Sequence, residues 1–177
     1  MSNKFTYDTI DYEKLTEQFK EFGYVVIENL YTKEYCNELV EQTVKAFEKI
    51  NPELNHKNKS TWKKSNLPPQ TRTGMYQSLV CHINPVKRVR NDEKYKKIFR
   101  EVYSRIKTNY SVQDDLVTSI DGINLKPNNI GPYNTKSSND WAHIDQTKRD
   151  ETFKCIQGQV VLSDTTASFK CSPKSHN

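Results

Sequence analysis

The apolar residues of this chain change their spacing partway along the sequence. Up to about residue 107 they recur every three or four positions, as on one face of an amphipathic helix. From about residue 116 onward they alternate with polar residues or form short apolar runs. The helical spacing predicts three helices, over residues 11–22, 33–50 and 93–107, capped by Asp11, Thr32 and Asp92. The change of period therefore predicts an α+β chain, with helices first and an antiparallel sheet or barrel in the second half.

Short β-branched or alternating stretches predict the strands. They cover residues 24–28, 75–83, 116–120, 123–126, 141–145, 155–162 and 168–171. Between them, residues 51–74 are polar, contain Pro68-Pro69 and predict a long loop. We expect one domain overall, with an N-terminal helical region carrying an early strand and a basic loop (1–110) and an incomplete β-core (111–177).

Several classes of protein are excluded by what the sequence lacks. No apolar run approaches the roughly 18 residues of a membrane span. The four cysteines are widely separated and form no CxxC pair, which predicts reduced thiols in a cytoplasmic, reducing compartment. No GxSxG, P-loop or dinucleotide fingerprint is present, so a serine hydrolase or a nucleotide-binding fold of those types is not expected.

Positive charge is concentrated in the middle of the chain. Residues 54–107 carry 14 basic and 3 acidic side chains, whereas the net charge of the whole chain is only +5. Such a concentration attracts anions, for example nucleic acid, phosphates or an acyl-CoA. The alternative is that these lysines lie on solvated helix faces and loops.

The segment Trp141-Ala142-His143-Ile144-Asp145 carries the sharpest chemical pattern. On a strand, the side chains of His143 and Asp145 point to the same face. One imidazole and one carboxylate side by side supply two ligands of a 2-His-1-carboxylate site, which binds Fe(II) and leaves positions open for O₂ and a cosubstrate. The alternative is a surface or core histidine with no metal.

In its wider context this pattern resembles the phytanoyl-CoA dioxygenase-like family of Fe(II)/2-oxoglutarate-dependent oxygenases. The resemblance spans most of residues 15–177 and keeps the order of the family. Its pieces are the segment Gly23–Leu30 with the helix after it, Lys126-Pro127, Trp141–Asp145, Gln157–Leu162 and the turn Ser172-Pro173-Lys174-Ser175-His176. Lys174 departs from the family pattern, which typically has Gly there.

The resemblance implies a double-stranded β-helix, a jelly-roll or cupin-like barrel with N-terminal helices packed on it. It implies a dioxygenase (hydroxylase) with Fe(II) and 2-oxoglutarate as cofactors and His143 and Asp145 as metal ligands. Lys126 matches a position that contacts the 2-oxoglutarate end of the pocket in some members, although an exposed strand-end lysine is equally compatible. Gln157 and Gln159 share one strand face and would bind cosubstrate or substrate from the barrel interior, unless they form a solvent-facing stripe.

The family's third ligand, a distal His, and its basic partner of 2-oxoglutarate lie past the Pro-x-Ser-His turn. We therefore expect a fragment, a degenerate copy or a site completed by a partner chain, with unpaired sheet edges that allow association. His176 is a poor substitute for the distal His, and His82 a poorer one. The isolated chain is expected to bind Fe(II) weakly and to decarboxylate little 2-oxoglutarate.

The sequence does not identify the substrate, and it allows two alternatives to this enzyme. The substrate is a small molecule or acyl compound, with an anionic handle as one option. A non-catalytic binding or structural remnant of the fold is the first alternative to the enzyme. The second is a nucleic-acid-directed oxygenase, in which lysines of the middle third follow phosphates while Trp62 and Tyr76 stack on bases.

Overall fold

The protein is a mixed α/β chain. Its structure is a computed structural model that describes residues 3–72, 74–106, 118–126, 143, 155–165 and 169–176. Within these ranges the helices are α1 (Tyr12–Phe22), α2 (Lys33–Ile50), α3 (Asn84–Asn91) and α4 (Glu93–Arg105). The strands are β1 (Lys4–Thr6), β2 (Val26–Glu28), β3 (Gln70–Arg72), β4 (Met75–Tyr76) and β5 (Ile123–Asn124). In the part of the chain so described, no helix is both long and apolar enough to cross a membrane.

The three predicted helices are confirmed, and capping residues explain where α1 and α4 begin and where α1 ends. The Asp11 carboxylate accepts a hydrogen bond from the Lys14 backbone N–H at 3.2 Å, and that of Asp92 accepts one from Lys94 at 2.8 Å. Helix α1 stops at Gly23, whose φ of +80° is left-handed and whose N–H donates to the Phe19 carbonyl.

Helix α3 was not predicted. Its sequence, NPVKRVRN, has too few apolar residues to display a helical stripe, but it places Pro85 in the first turn, where proline is favoured. The Asn-Pro pair before alternating basic residues was therefore the signal in the sequence that could have revealed α3.

The described strands form two small open sheets. In the first, β1 pairs in parallel with β2, with Phe5 opposite Ile27. The second is antiparallel in the order β3-β4-β5, with Tyr76 opposite both Gln70 and Ile123. The strands are only two or three residues long, so side-chain packing rather than ladder bonds stabilises these sheets.

Several strand predictions were wrong within the described residues. Of residues 75–83, only Met75–Tyr76 (β4) form a strand. The strand ends because Ser78 adopts a left-handed φ of +57° and begins a 3₁₀ helix, Ser78–His82. This helix buries the consecutive side chains of Val80 and Cys81. Residues 118–120, 155–162 and 169–171 are not strands. At Ile156 the backbone N–H donates to the phenol oxygen of Tyr103 at 2.8 Å rather than to a neighbouring strand.

The described residues group into two compact units. The α1/α4 unit comprises those within Met1–Lys33, Asp92–Val117 and Asp140–Asn177, and the α2/α3 unit those within Glu34–Asn91 and Thr118–Asn139. The predicted boundary between residues 110 and 111 lies outside the described residues and stays a prediction.

In the α1/α4 unit, the two helices are in contact, and each has a buried apolar side chain, Leu15 on α1 and Val102 on α4. The Arg105 guanidinium reinforces the contact, since its Nε donates to Glu13 at 3.0 Å. Lys20 Nζ donates to the Arg105 carbonyl at 2.9 Å, which satisfies an acceptor at the end of α4.

The core of the α2/α3 unit is built from four different segments. Its fully buried members come from α2, from the loop after it, from β4 and from the 3₁₀ helix: Phe47, Leu54, Trp62, Leu67, Tyr76 and Val80. The rings of Phe47 and Tyr76 lie 4.7 Å apart between centroids at an interplanar angle of 60°. The loop thus contributes half of this core and is not a solvated connection.

Replacing Phe47 by Ala should lower the free energy of unfolding by about 3–5 kcal/mol, because a fully buried aromatic ring leaves a cavity. Leu79→Ala is the matched control, since Leu79 is 62% exposed and its loss should change stability by no more than about 0.5 kcal/mol. Urea unfolding followed by circular dichroism measures both, and equal effects of the two variants would contradict the assigned core.

Candidate functional site

Of the two predicted iron ligands, only His143 is described. It belongs to the α1/α4 unit and is exposed. Asp145 and the flanking residues lie outside the described residues, so the shared strand face of His143 and Asp145 stays a prediction.

His176 caps the C-terminal end of helix α1. Its Nε2 lies 2.8 Å from the backbone oxygen of Lys20, and because a carbonyl only accepts, Nε2 carries the proton. The ring also covers Gly23, where an added Cβ would collide with it. Two residues earlier in the same segment, the Lys174 N–H donates to the Phe22 carbonyl at 2.9 Å. The turn therefore satisfies two carbonyls that a helix end leaves free.

Lys126 follows β5 in the α2/α3 unit and is exposed. Its methylene groups lie over Gly74, which has a left-handed φ of +80° and whose carbonyl accepts from the Leu125 N–H at 2.9 Å. The missing side chain of Gly74 therefore leaves room for the Lys126 stem. Within the described residues the Lys126 ammonium forms no ion pair with a carboxylate.

Gln157 and Gln159 belong to the α1/α4 unit, and both are exposed in an extended segment that is not part of a sheet. Between them, Gly158 lies against the rings of Tyr95 and Phe99 on α4. Their predicted place inside a barrel stays a prediction.

The described residues do not by themselves assemble an iron site. They contain no group of three His, Cys, Asp or Glu side chains placed to hold a metal ion. Of the expected ligand set they include only His143, and the His176 imidazole is committed to the end of α1.

Most of the cations on the helices of the middle region are neutralised or used structurally. Arg88 donates to Glu38 at 2.7 Å, and Arg100 and Lys96 both pair with Glu93. Arg90 donates to the backbone carbonyls of Cys81 and Asp121 and so joins the 3₁₀ helix to the segment before β5. The positive charge that the sequence concentrates over 54–107 is therefore not uniformly available to a ligand.

The lysines of the loop after α2 differ from those of the helices. Lys59, Lys63 and Lys64 are exposed, and none forms an ion pair with a carboxylate in the described part of the chain. We call residues 55–66 the lysine loop.

The predicted stacking of nucleic-acid bases on Trp62 and Tyr76 is wrong. Trp62 is 5% exposed and Tyr76 is 0% exposed, because both rings belong to the core of the α2/α3 unit. A ring whose faces are covered by protein cannot also stack on a base.

Sequence reasoning missed a hydrogen-bonded pair between Glu48 and His56. One carboxylate oxygen of Glu48 accepts from the His56 backbone N–H at 2.5 Å and lies 2.7 Å from its Nδ1. The two side chains are 24% and 26% exposed. These hydrogen bonds, the backbone one first, lower the pKa of Glu48. The eight-residue separation across a predicted loop gave no local pattern that would have revealed the pair.

Two surface pockets are lined by described residues of the α2/α3 unit, one beside Arg88 and Lys87 and one along Pro68–Val80. None of the predicted site residues lines either of them. Comparisons with known protein families, with curated proteins and with solved structures found no match to this chain.

Glu48→Gln should destabilise the chain by about 1–2 kcal/mol at pH 7, since two hydrogen bonds to a charged, partly exposed group are weakened. The pKa of Glu48 is lowered in the folded state, so its contribution is present above the unfolded pKa of about 4.3 and is lost as the pH falls through the folded pKa. The stability gap between wild type and variant should therefore narrow below about pH 4.3.

Urea titrations at a series of pH values from 7 to 3 measure that gap. Glu53→Gln, a change in the same region with no hydrogen bond to its carboxylate in the described residues, serves as the control. A gap that stays constant with pH would contradict the role of the ionised Glu48.

Proposed function

We propose that the chain is an Fe(II)/2-oxoglutarate-dependent dioxygenase (hydroxylase) similar to the phytanoyl-CoA dioxygenase family, with His143 and Asp145 as iron ligands. The observation that carries the proposal is the His-x-Asp pair in its context. An aromatic residue precedes it, the Gln157–Leu162 segment follows in the family's order, and the turn Ser172–His176 comes last. A single His-x-Asp has little specificity, whereas this ordered set has much more.

The conformation of Lys174 supports the resemblance. Its φ is +67°, in the left-handed region that glycine occupies at little cost. The family typically has Gly at this position of the turn. A turn that keeps the glycine-type conformation with a lysine in it fits the same turn with one substitution.

The N-terminal segment gives a second line of support. Residues that match the family there, Gly23–Leu30, contain the helix-ending glycine and β2, and α2 follows directly. This is the order of elements that the resemblance implies.

A double-stranded β-helix that completes the sheet is part of the proposal. The antiparallel β3-β4-β5 sheet is open, and an open edge allows association with another chain.

We further propose a reducing, cytoplasmic setting and a small-molecule or acyl substrate. The four cysteines, all described, are free thiols, and Cys155 and Cys171 are exposed. Exposed thiols that are not paired suit a compartment in which disulfides do not persist.

Replacing His143 by Ala should weaken Fe(II) binding by at least about tenfold, because a ligand is removed from a site that has few. Anaerobic titration with Fe(II), or with Co(II) as a spectroscopic probe, measures the dissociation constant. His82→Ala is the matched control, since it removes another exposed imidazole that the proposal does not use. If His143→Ala binds the metal as wild type does, the chain is a non-catalytic remnant of the fold and the proposal fails.

Lys126→Met should weaken 2-oxoglutarate binding by about tenfold, because it removes the ammonium charge while keeping an unbranched stem over Gly74. Isothermal titration in the presence of the metal measures the change. Lys87→Met is the control, since it removes an exposed lysine charge from α3 of the same unit. Equal losses in the two variants would show that Lys126 acts only through net charge.

A further inference from the structure

We propose that the lysine loop binds the phosphate backbone of double-stranded nucleic acid without reading its sequence. Three features of the loop carry this inference: unpaired exposed cations, a fixed backbone, and the absence of an exposed apolar or aromatic group. It goes beyond the proposed oxygenase function and does not depend on it.

The first feature is uncompensated charge. No acidic residue lies between Glu53 and Asp92 in the sequence. In the structure, the ammonium groups of Lys59, Lys63 and Lys64 have no carboxylate partner among the described residues. By contrast, Lys45 on α2 lies 2.6 Å from Glu41, and Lys96 on α4 lies 3.0 Å from Glu93. The loop is thus a place where positive charge is left available.

The second feature is a backbone held by asparagine and threonine side chains. Asn58 accepts from the Ser60 N–H at 3.1 Å, and Asn55 accepts from the Lys57 N–H at 2.9 Å, so each forms an Asx turn. The Thr61 hydroxyl accepts from the Asn55 N–H at 2.9 Å, and the Asn66 amide donates to the Thr61 carbonyl at 3.0 Å.

These bonds close the loop into two consecutive 3₁₀ turns, Lys59–Thr61 and Lys64–Asn66. Lys59 and Lys64 are five residues apart, so their Cα atoms lie within about 18 Å even if the chain between them were fully extended. Three cations are therefore confined to a short, ordered surface. A bound anion does not have to order the backbone that carries these lysines, which removes part of the entropic cost of binding.

The third feature decides between partners. The apolar side chains of this region, Leu54, Trp62 and Leu67, are at most 5% exposed. A membrane surface is favoured by an apolar group that enters the headgroup region, and a single strand by an aromatic ring on which bases stack. The loop offers neither. Exposed lysine ammoniums with no apolar group beside them match the regular array of phosphates on a duplex, which has one negative charge per about 1.7 Å of axis.

The test is binding of the 177-residue chain to a fluorescein-labelled duplex of about 20 base pairs, followed by anisotropy between 50 and 200 mM NaCl. We compare wild type with Lys59→Gln/Lys63→Gln/Lys64→Gln. Each phosphate contact contributes about 0.9 to the slope of log K against log salt, so the triple variant should lose about 2.7 of that slope. Its affinity at 50 mM NaCl should fall by at least about tenfold.

The matched control is Lys14→Gln/Lys45→Gln/Lys96→Gln, which removes the same charge from lysines paired with carboxylates. It should keep most of the slope and the affinity. Equal losses in both triple variants would show an effect of net charge only and would overturn the proposal. The single variants at 59, 63 and 64 give the same answer in steps of about 0.9 if the triple variant folds poorly.

Three competitors distinguish binding to a duplex from binding to other anionic partners. Phosphatidylserine vesicles, polyglutamate and a single strand of the same sequence should each bind more weakly than the duplex and should not depend on the three lysines in the same way. Vesicles, polyglutamate or the single strand binding more tightly than the duplex would overturn it, as would wild type that does not bind the duplex at 50 mM NaCl.

Discussion

The burial of Trp62 determines how the long loop after α2 is arranged. Its indole ring is 5% exposed and packs with Phe47 of α2 and Tyr76 of β4. Its Nε1 has no hydrogen-bond partner among the described residues, which costs about 1–3 kcal/mol, so the apolar contacts of a large ring must outweigh that loss. A polar loop of this length, with no such anchor, would be fixed only at its ends.

The anchor has a consequence for charge. Because the ring of Trp62 points into the core, the backbone beside it runs along the surface, and the neighbouring Lys63 and Lys64 are exposed. The asparagine and threonine side chains bond to the loop's own backbone, so they do not compete for the lysine ammoniums. The density of unpaired cations is therefore a property of the fold at this place. On α2 and α4 the helical spacing places Glu beside Lys at i,i+3 or i,i+4. The paired carboxylate there reduces the positive electrostatic potential.

The sequence was sufficient to predict α1, α2 and α4 and insufficient to predict α3 and the extent of most strands, for a physical reason. A helix end is decided by neighbours in the sequence, so Asp11, Gly23 and Asp92 could be identified directly. A strand needs a partner that is distant in the sequence, and the apolar run 155–162 has none among the described residues. The buried loop was missed because its three apolar residues are spaced irregularly among polar ones. Leu54, Trp62 and Leu67 in an otherwise polar loop were the available signal.

The candidate iron site was predictable only as far as local spacing reaches. His143 and Asp145 were named from a two-residue period, whereas a third ligand depends on how distant segments meet. The position of His176 sharpens this point. Its Nε2–H is used by the Lys20 carbonyl, and the side of the ring near Nδ1 lies against Gly23. In this tautomer only Nδ1 keeps a lone pair for a metal, and that nitrogen lies directly beside Gly23. Ligation through Nε2 would require the imidazole to leave the Lys20 carbonyl, a loss of about 1 kcal/mol for that hydrogen bond. The cap on α1 and the closeness of Gly23 therefore both disfavour His176 as the third ligand of the proposed site.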